Sequence, residues 1–141
     1  MSKENFLNEI MAEIIGLDTS KLEEERKKQI HRFIDSTVNG DDIQAHLTIS
    51  ANLDETKKGI IVYILTNARF IKVDIDIHAE EISSSIFPLD TITGIERKLL
   101  EGGKAQVKIA FPNNSFGLIY RANNEAITKF FQKVDMTRAE G

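Results

Sequence analysis

Asp74, Asp76 and His78 occupy alternate positions of the stretch VDIDIH, with Glu80 two residues further on. Carboxylates and imidazole are ligands for divalent cations, which makes this the strongest metal-capable group in the chain. Side chains two apart on a strand stand roughly 6.5 Å apart along it, and they do not converge on one ion unless another strand contributes. The spacing therefore predicts a solvated strand face, with no metal and no cofactor assigned. His31 lies in a charged stretch and His46 on the polar side of an alternating run, and neither has a nucleophile at motif spacing. The chain has serines but no G-x-S-x-G elbow, no phosphate-cradling glycine loop and no H-E-x-x-H pair. These absences predict a protein that is not an enzyme. A cleft that set His46 or His78 beside a buried carboxylate would argue the other way, because perturbed groups in clefts mark chemistry.

Arg69 is the remaining charged residue in a conspicuous place. It follows Asn67-Ala68 in ILTNARFIKV, where two β-like runs are pinched around a corner. Its guanidinium either pairs with a carboxylate such as Asp90, or clamps the turn, or contacts an anionic ligand.

The elements that position these residues follow from periodicity. Phe6, Leu7, Ile10, Met11, Ile14 and Ile15 recur at helical spacing up to Gly16, and Ser20 with Glu23 fits a capping box before a second, more charged helix with Leu22, Arg26, Ile30, Phe33 and Ile34 on its narrow stripe. From Asp42 the period becomes two: Ile43, Ala45, Leu47, Ile49 and Ala51 alternate with polar residues. Ile60 to Leu65 is apolar on both faces, which predicts extra cover on its outer side from the N-terminal helices. Further strands are predicted at Ile71–Ile77, Ile82–Leu89, Ile92–Leu100, Ala105–Phe111 and Phe116–Arg121, with a hairpin turn at Glu101-Gly102-Gly103-Lys104. Ala126, Ile127, Phe130, Phe131 and Val134 form the apolar face of a closing helix that frays after Met136.

Length and composition bound the rest. At 141 residues, 41% hydrophobic and 28% charged, the chain has the make-up of a single globular domain with one substantial core. A net charge of -4 without a basic stripe argues against nucleic acid as a partner. The absence of cysteine excludes disulfides and thiolate chemistry and is compatible with the cytoplasm, the expected location. Asn8, Glu9 and Glu13 break the N-terminal apolar stretch, so it reads as neither a signal peptide nor a membrane span.

Three stretches together carry a resemblance. ILTNARFIKVD, IFPLDTITGIE and AITKFFQKV resemble, in this order and spacing, the bacterial pleckstrin-homology-like domains. The resemblance covers residues 42 to about 135 and implies a mainly β sandwich: seven antiparallel strands in two orthogonal sheets of four and three, capped by the C-terminal helix. The expected organisation is a helical extension over 1–40, the domain over 41–136 and a frayed tail over 137–141. Eukaryotic relatives that bind phosphoinositides use basic residues around the first strand-to-strand loop, so the resemblance makes Lys57 and Lys58, with Arg69, the possible anionic-ligand contacts. Asp54 and Glu55 in the same loop largely cancel that field.

The expected function is a non-enzymatic protein interaction or assembly module, with a protein partner or self-association. Phe6, Ile10, Ile14 and Ile15, too apolar to be left in water, are its candidate contact residues; the alternative is that this helix folds back on its own sheet. A peripheral membrane module is the runner-up and requires a basic face assembled from Lys57, Lys58, Lys104 and Lys108. A small-molecule binding protein or an enzyme with an unrecognised site is the third class.

Overall fold

A computed structural model describes residues 3–17, 23–52, 58–76 and 81–140. The chain divides into two compact units, Met1–Ile86 and Phe87–Gly141. The first contains α1 (Lys3–Leu17), α2 (Glu24–Val38), β1 (Ile43–Asn52), β2 (Lys58–Thr66), β3 (Arg69–Asp76) and most of β4 (Ile82–Pro88). The second contains β5 (Gly94–Leu100), β6 (Lys104–Ala110), β7 (Ser115–Arg121) and α3 (Glu125–Glu140). The strands form a four-stranded sheet in the order β1-β2-β3-β4 and a three-stranded sheet in the order β5-β6-β7. Their pairing is antiparallel in every register described.

The helical stripe of α1 and the Ile30, Ile34, Val38 row of α2 close over one face of the first sheet. Register places Ile60 opposite Ile75, Val62 opposite Val73 and Ile64 opposite Ile71, so these six share a face. They join Phe6, Leu7, Ile10, Ile14, Ile30, Ile34 and Val38 in one buried cluster. This is the cover that the doubly apolar β2 predicts, and it makes α1 and α2 contributors to the first core. At the far ends of the two helices, Lys3 Nζ lies 2.7 Å from Asp35 Oδ1 and donates to the carbonyl of Asn39 at 2.7 Å.

Several boundaries differ from the sequence reading. Gly16 lies inside α1, since a glycine near a helix end costs too little to stop it. Helix α2 begins at Glu24 with Glu23 in the capping position and no side-chain cap bond, later than a Ser20–Glu23 box requires; Ser20 itself lies outside the described residues. Helix α3 continues through Glu140 instead of fraying after Met136. Arg138 holds that last turn, with Nε 3.1 Å from Asp135 Oδ1 and Nη1 donating to the Ile92 carbonyl at 3.5 Å.

In the second unit Phe87, Phe111 and Phe116 form an aromatic cluster, Phe87 stacking on Phe111 with centroids 4.1 Å apart. Ala105, Val107, Ile109 and Tyr120 are buried on one face of the sheet, and Ile127, Phe130, Phe131 and Val134 on α3, as the alternation and the helical stripe predict. The β5–β6 turn passes through Gly102 and Gly103 at φ 75° and 73°, left-handed conformations that a side chain resists.

Candidate functional site

Arg69 is engaged inside the fold. Thr66, fully buried at the end of β2, accepts hydrogen bonds at Oγ1 from the amides of Ala68 (3.1 Å) and Arg69 (2.8 Å), which sets the corner. The corner aims the guanidinium at the C-terminus of α2. There Nε donates to Asp41 Oδ2 at 2.6 Å, and Nη2 donates to the carbonyls of Thr37 (3.0 Å) and Val38 (2.8 Å). The last carbonyls of a helix have no intrahelical donor, so an arginine here satisfies both their hydrogen bonds and the negative end of the helix dipole. Thr66 Oγ1 in turn donates to Asp41 Oδ2 at 3.0 Å. Arg69 clamps the corner to the helix end, with Asp41 in place of the Asp90 named from sequence, and its Nε and Nη2 donors are engaged within the fold.

His46 is not on a wet face. Register pairs it with Ile64 and Thr48 with Val62, which puts the polar side of β1 beneath α1. The His46 ring meets Phe6 edge-on at 5.1 Å, and its Nε2 lies 3.0 Å from Glu9 Oε2. Its Nδ1 is 2.9 Å from Glu13 Oε1 without the alignment of a hydrogen bond. Thr48 donates to the same Glu13 oxygen at 3.3 Å. Both carboxylates are substantially solvent-exposed, and the group reads as a polar seam joining α1 to β1.

Asp74 and Asp76 also depart from the solvated face predicted for them. Asp76 is only 4% exposed, and Asp74 pairs with Lys72, whose Nζ lies 3.3 Å from Oδ1. Buried Tyr63, opposite Lys72, has its phenol pushed up to about 12, first by burial and then by the charge of Asp74. His78 and Glu80 lie outside the described residues, and among those described no group of three or more His, Asp or Glu side chains is placed to hold a metal.

The apolar candidates divide. Phe6, Ile10 and Ile14 are fully buried in the chain's own first core, so the fold-back alternative describes them; only Ile15, 46% exposed, faces solvent. Their helical spacing marked them as needing cover but carried no information about which surface supplies it. Lys57 and the acidic pair beside it fall outside the described residues, as does the side chain of Lys58.

A face that sequence reasoning named only in part, through Lys104 and Lys108, lies on the second sheet. Pairing Lys98 with Gln106 and Ile119, and Lys104 with Arg121, places Lys98, Lys104, Lys108 and Arg121 on one exposed face around Ile119, with Glu96 among them. A solvent-open depression of about 510 Å³ borders this face at Gly102, Gly103, Lys104 and Arg121–Asn123. Leu99, 76% exposed on β5, and Ile119, 57% exposed on β7, stand on the two outer strands of the sheet. The signal was available in the alternation of 94–100 and 115–121, but only the strand register assembles it into a surface. Residues 87–141 carry eight basic and six acidic side chains, net +2, against ten basic and sixteen acidic, net -6, in residues 1–86.

No protein-family model matches the chain, and no curated protein matches it. Solved structures do. The hSac2 domain from human phosphoinositide phosphatase Sac2 is similar over 86% of this chain and 85% of its own, at 8% identity and a TM-score of 0.54. A pleckstrin homology domain from Shewanella amazonensis SB2B is similar over 77% of this chain and 97% of its own, at 14% identity and a TM-score of 0.50. At such identities the likeness speaks to architecture, and two antiparallel sheets of four and three strands with a C-terminal helix agree with it. The chain has a pleckstrin-homology-like fold.

Proposed function

We propose that this chain is a non-enzymatic pleckstrin-homology-like interaction module of the cytoplasm that assembles with copies of itself. The observation that carries the reading is the exposure of Leu99 and Ile119 on the outer strands of the β5-β6-β7 sheet. Scattered apolar residues on a surface are ordinary. On strands whose outer backbone groups are unpaired, they add side-chain grip to a ready template for strand addition. The engagement of Arg69, His46 and Asp74 within the fold supports the absence of chemistry. Light scattering coupled to size exclusion, on the full chain over a concentration series, tests the reading. A mass rising to two or more copies supports it, and a single-chain mass throughout refutes it.

The cationic face favours a second reading, contact with an anionic membrane surface. Each cation near such a surface is worth about 1 kcal/mol, so Lys98, Lys104, Lys108 and Arg121 would give weak, salt-sensitive binding. Among the described residues no helix is long and apolar enough to cross a membrane. Co-sedimentation with anionic but not zwitterionic vesicles, lost on adding salt, is the outcome this reading requires.

A further inference from the structure

Strand β5 is open on both faces. Glu96, Arg97, Lys98 and Leu99 are consecutively exposed, and β5 is hydrogen-bonded only to β6 in its sheet. Charged residues on an edge strand ordinarily discourage pairing with another chain. Here their order is self-complementary. Two copies of β5 related by a two-fold axis perpendicular to the sheet must pair residues that point to the same face, which allows only registers centred on a residue. Centred on Arg97, the register sets Glu96 opposite Lys98 twice and Ile95 opposite Leu99 twice, leaving Arg97 to meet its own copy. Centred on Glu96 or on Lys98, it sets like charges against each other at the axis and forms no ion pair. Each register centred on one of the three charged residues sets one like-charged pair at the axis, and of these only the Arg97-centred one adds opposite-charge pairs, which stabilise a strand pair when directly across from each other.

We propose that the chain forms a two-fold dimer by antiparallel pairing of β5 with β5 of a second copy, centred on Arg97, which extends the three-stranded sheet to six strands. The proposal rests on the self-assembly reading above and names its edge and its occupant. Leu99, the most exposed large apolar side chain among the described residues, then gains Ile95 of the other copy as cover. Seven residues of edge pairing make a small interface, so the dimer dissociation constant is on the order of micromolar or weaker.

The test uses Glu96→Lys and Lys98→Glu, both at exposed positions, with circular dichroism checking that each variant folds. In either variant alone the register sets like charges together twice, so the dissociation constant measured by sedimentation equilibrium rises about tenfold or more. In an equimolar mixture every such contact is again between opposite charges, and the heterodimer re-forms at the wild-type affinity. A wild-type dimer unaffected by either substitution overturns the β5 interface while leaving self-assembly standing. Weakened variants that fail to rescue one another overturn the register. A wild-type chain that stays monomeric overturns both this proposal and the assembly reading.

Discussion

Replacing Arg69 with methionine keeps the aliphatic stem and removes the guanidinium, and with it three interactions at the α2 terminus. The Asp41 contact at 2.6 Å is between groups each about one quarter exposed, and hydrogen bonds to a charged partner contribute about 1.5 to 3 kcal/mol. The two carbonyls of Thr37 and Val38 add roughly 1 kcal/mol each, less whatever water recovers. Because the three share one guanidinium they do not add fully, and a loss of about 3 kcal/mol is expected. For a chain of this length that lowers the Tm by roughly 10 °C if unfolding is two-state. Denaturant titration followed by circular dichroism measures it directly, and a double-mutant cycle with Asp41→Asn should return a coupling of about 1 to 2 kcal/mol. If Arg69 were kept for a ligand, Arg69→Met would unfold within about 0.5 kcal/mol of the wild type, as surface substitutions do. That result would refute the clamp.

Other positions give outcomes of different kinds. Ile10→Asp puts an unpaired charge into the fully buried first core, so it should abolish cooperative thermal unfolding rather than release a folded monomer; a folded variant with native β-rich circular dichroism would return α1 to the role of docking element. The phenol of Tyr63 ionises at about 10 in the unfolded chain and at about 12 in the fold, so the folded state binds more protons in between. Its stabilisation is complete below pH 10 and is lost as pH rises toward 12, by up to about 3 kcal/mol. Compared with Tyr63→Phe across that window, the wild type should show the steeper loss, and parallel curves would contradict the assignment. Gly103→Ala, at φ 73° with open space around it, should cost about 1 kcal/mol from backbone strain alone, whereas Gly16→Ala within α1 should gain about 0.5 kcal/mol; equal denaturation midpoints for the two would be inconsistent with these conformations.

Periodicity was the legible part of this chain. The doubly apolar β2 and the stripe of α3 each state locally which side of an element needs cover, and the structure agrees on both, whereas the alternation after Asp42 marks a strand whose polar face, assigned to water, lies beneath α1. The candidate sites were less legible because each depends on a partner far away in sequence. Arg69 reads as a ligand contact or a clamp until Asp41, 28 residues earlier, is seen beside it. His46 looks wet because its own strand says only that its face is polar, and that face is covered by the one helix whose flank offers Glu9 and Glu13.

From the sequence by itself come the elements, the mainly β class and the count of seven strands, which rest on short-range patterns of side-chain polarity, together with the lack of any catalytic motif; the division into two sheets came from the resemblance. The tertiary structure alone decided that α1 spends Phe6, Ile10 and Ile14 on its own sheet and that Arg69 closes a helix end. It also decided that Lys98, Lys104, Lys108 and Arg121 gather around Ile119 on the open side of β5-β6-β7. An apolar stripe is satisfied by any apolar surface and a charge by any opposite charge, so the choice among them belongs to the packing of the whole chain.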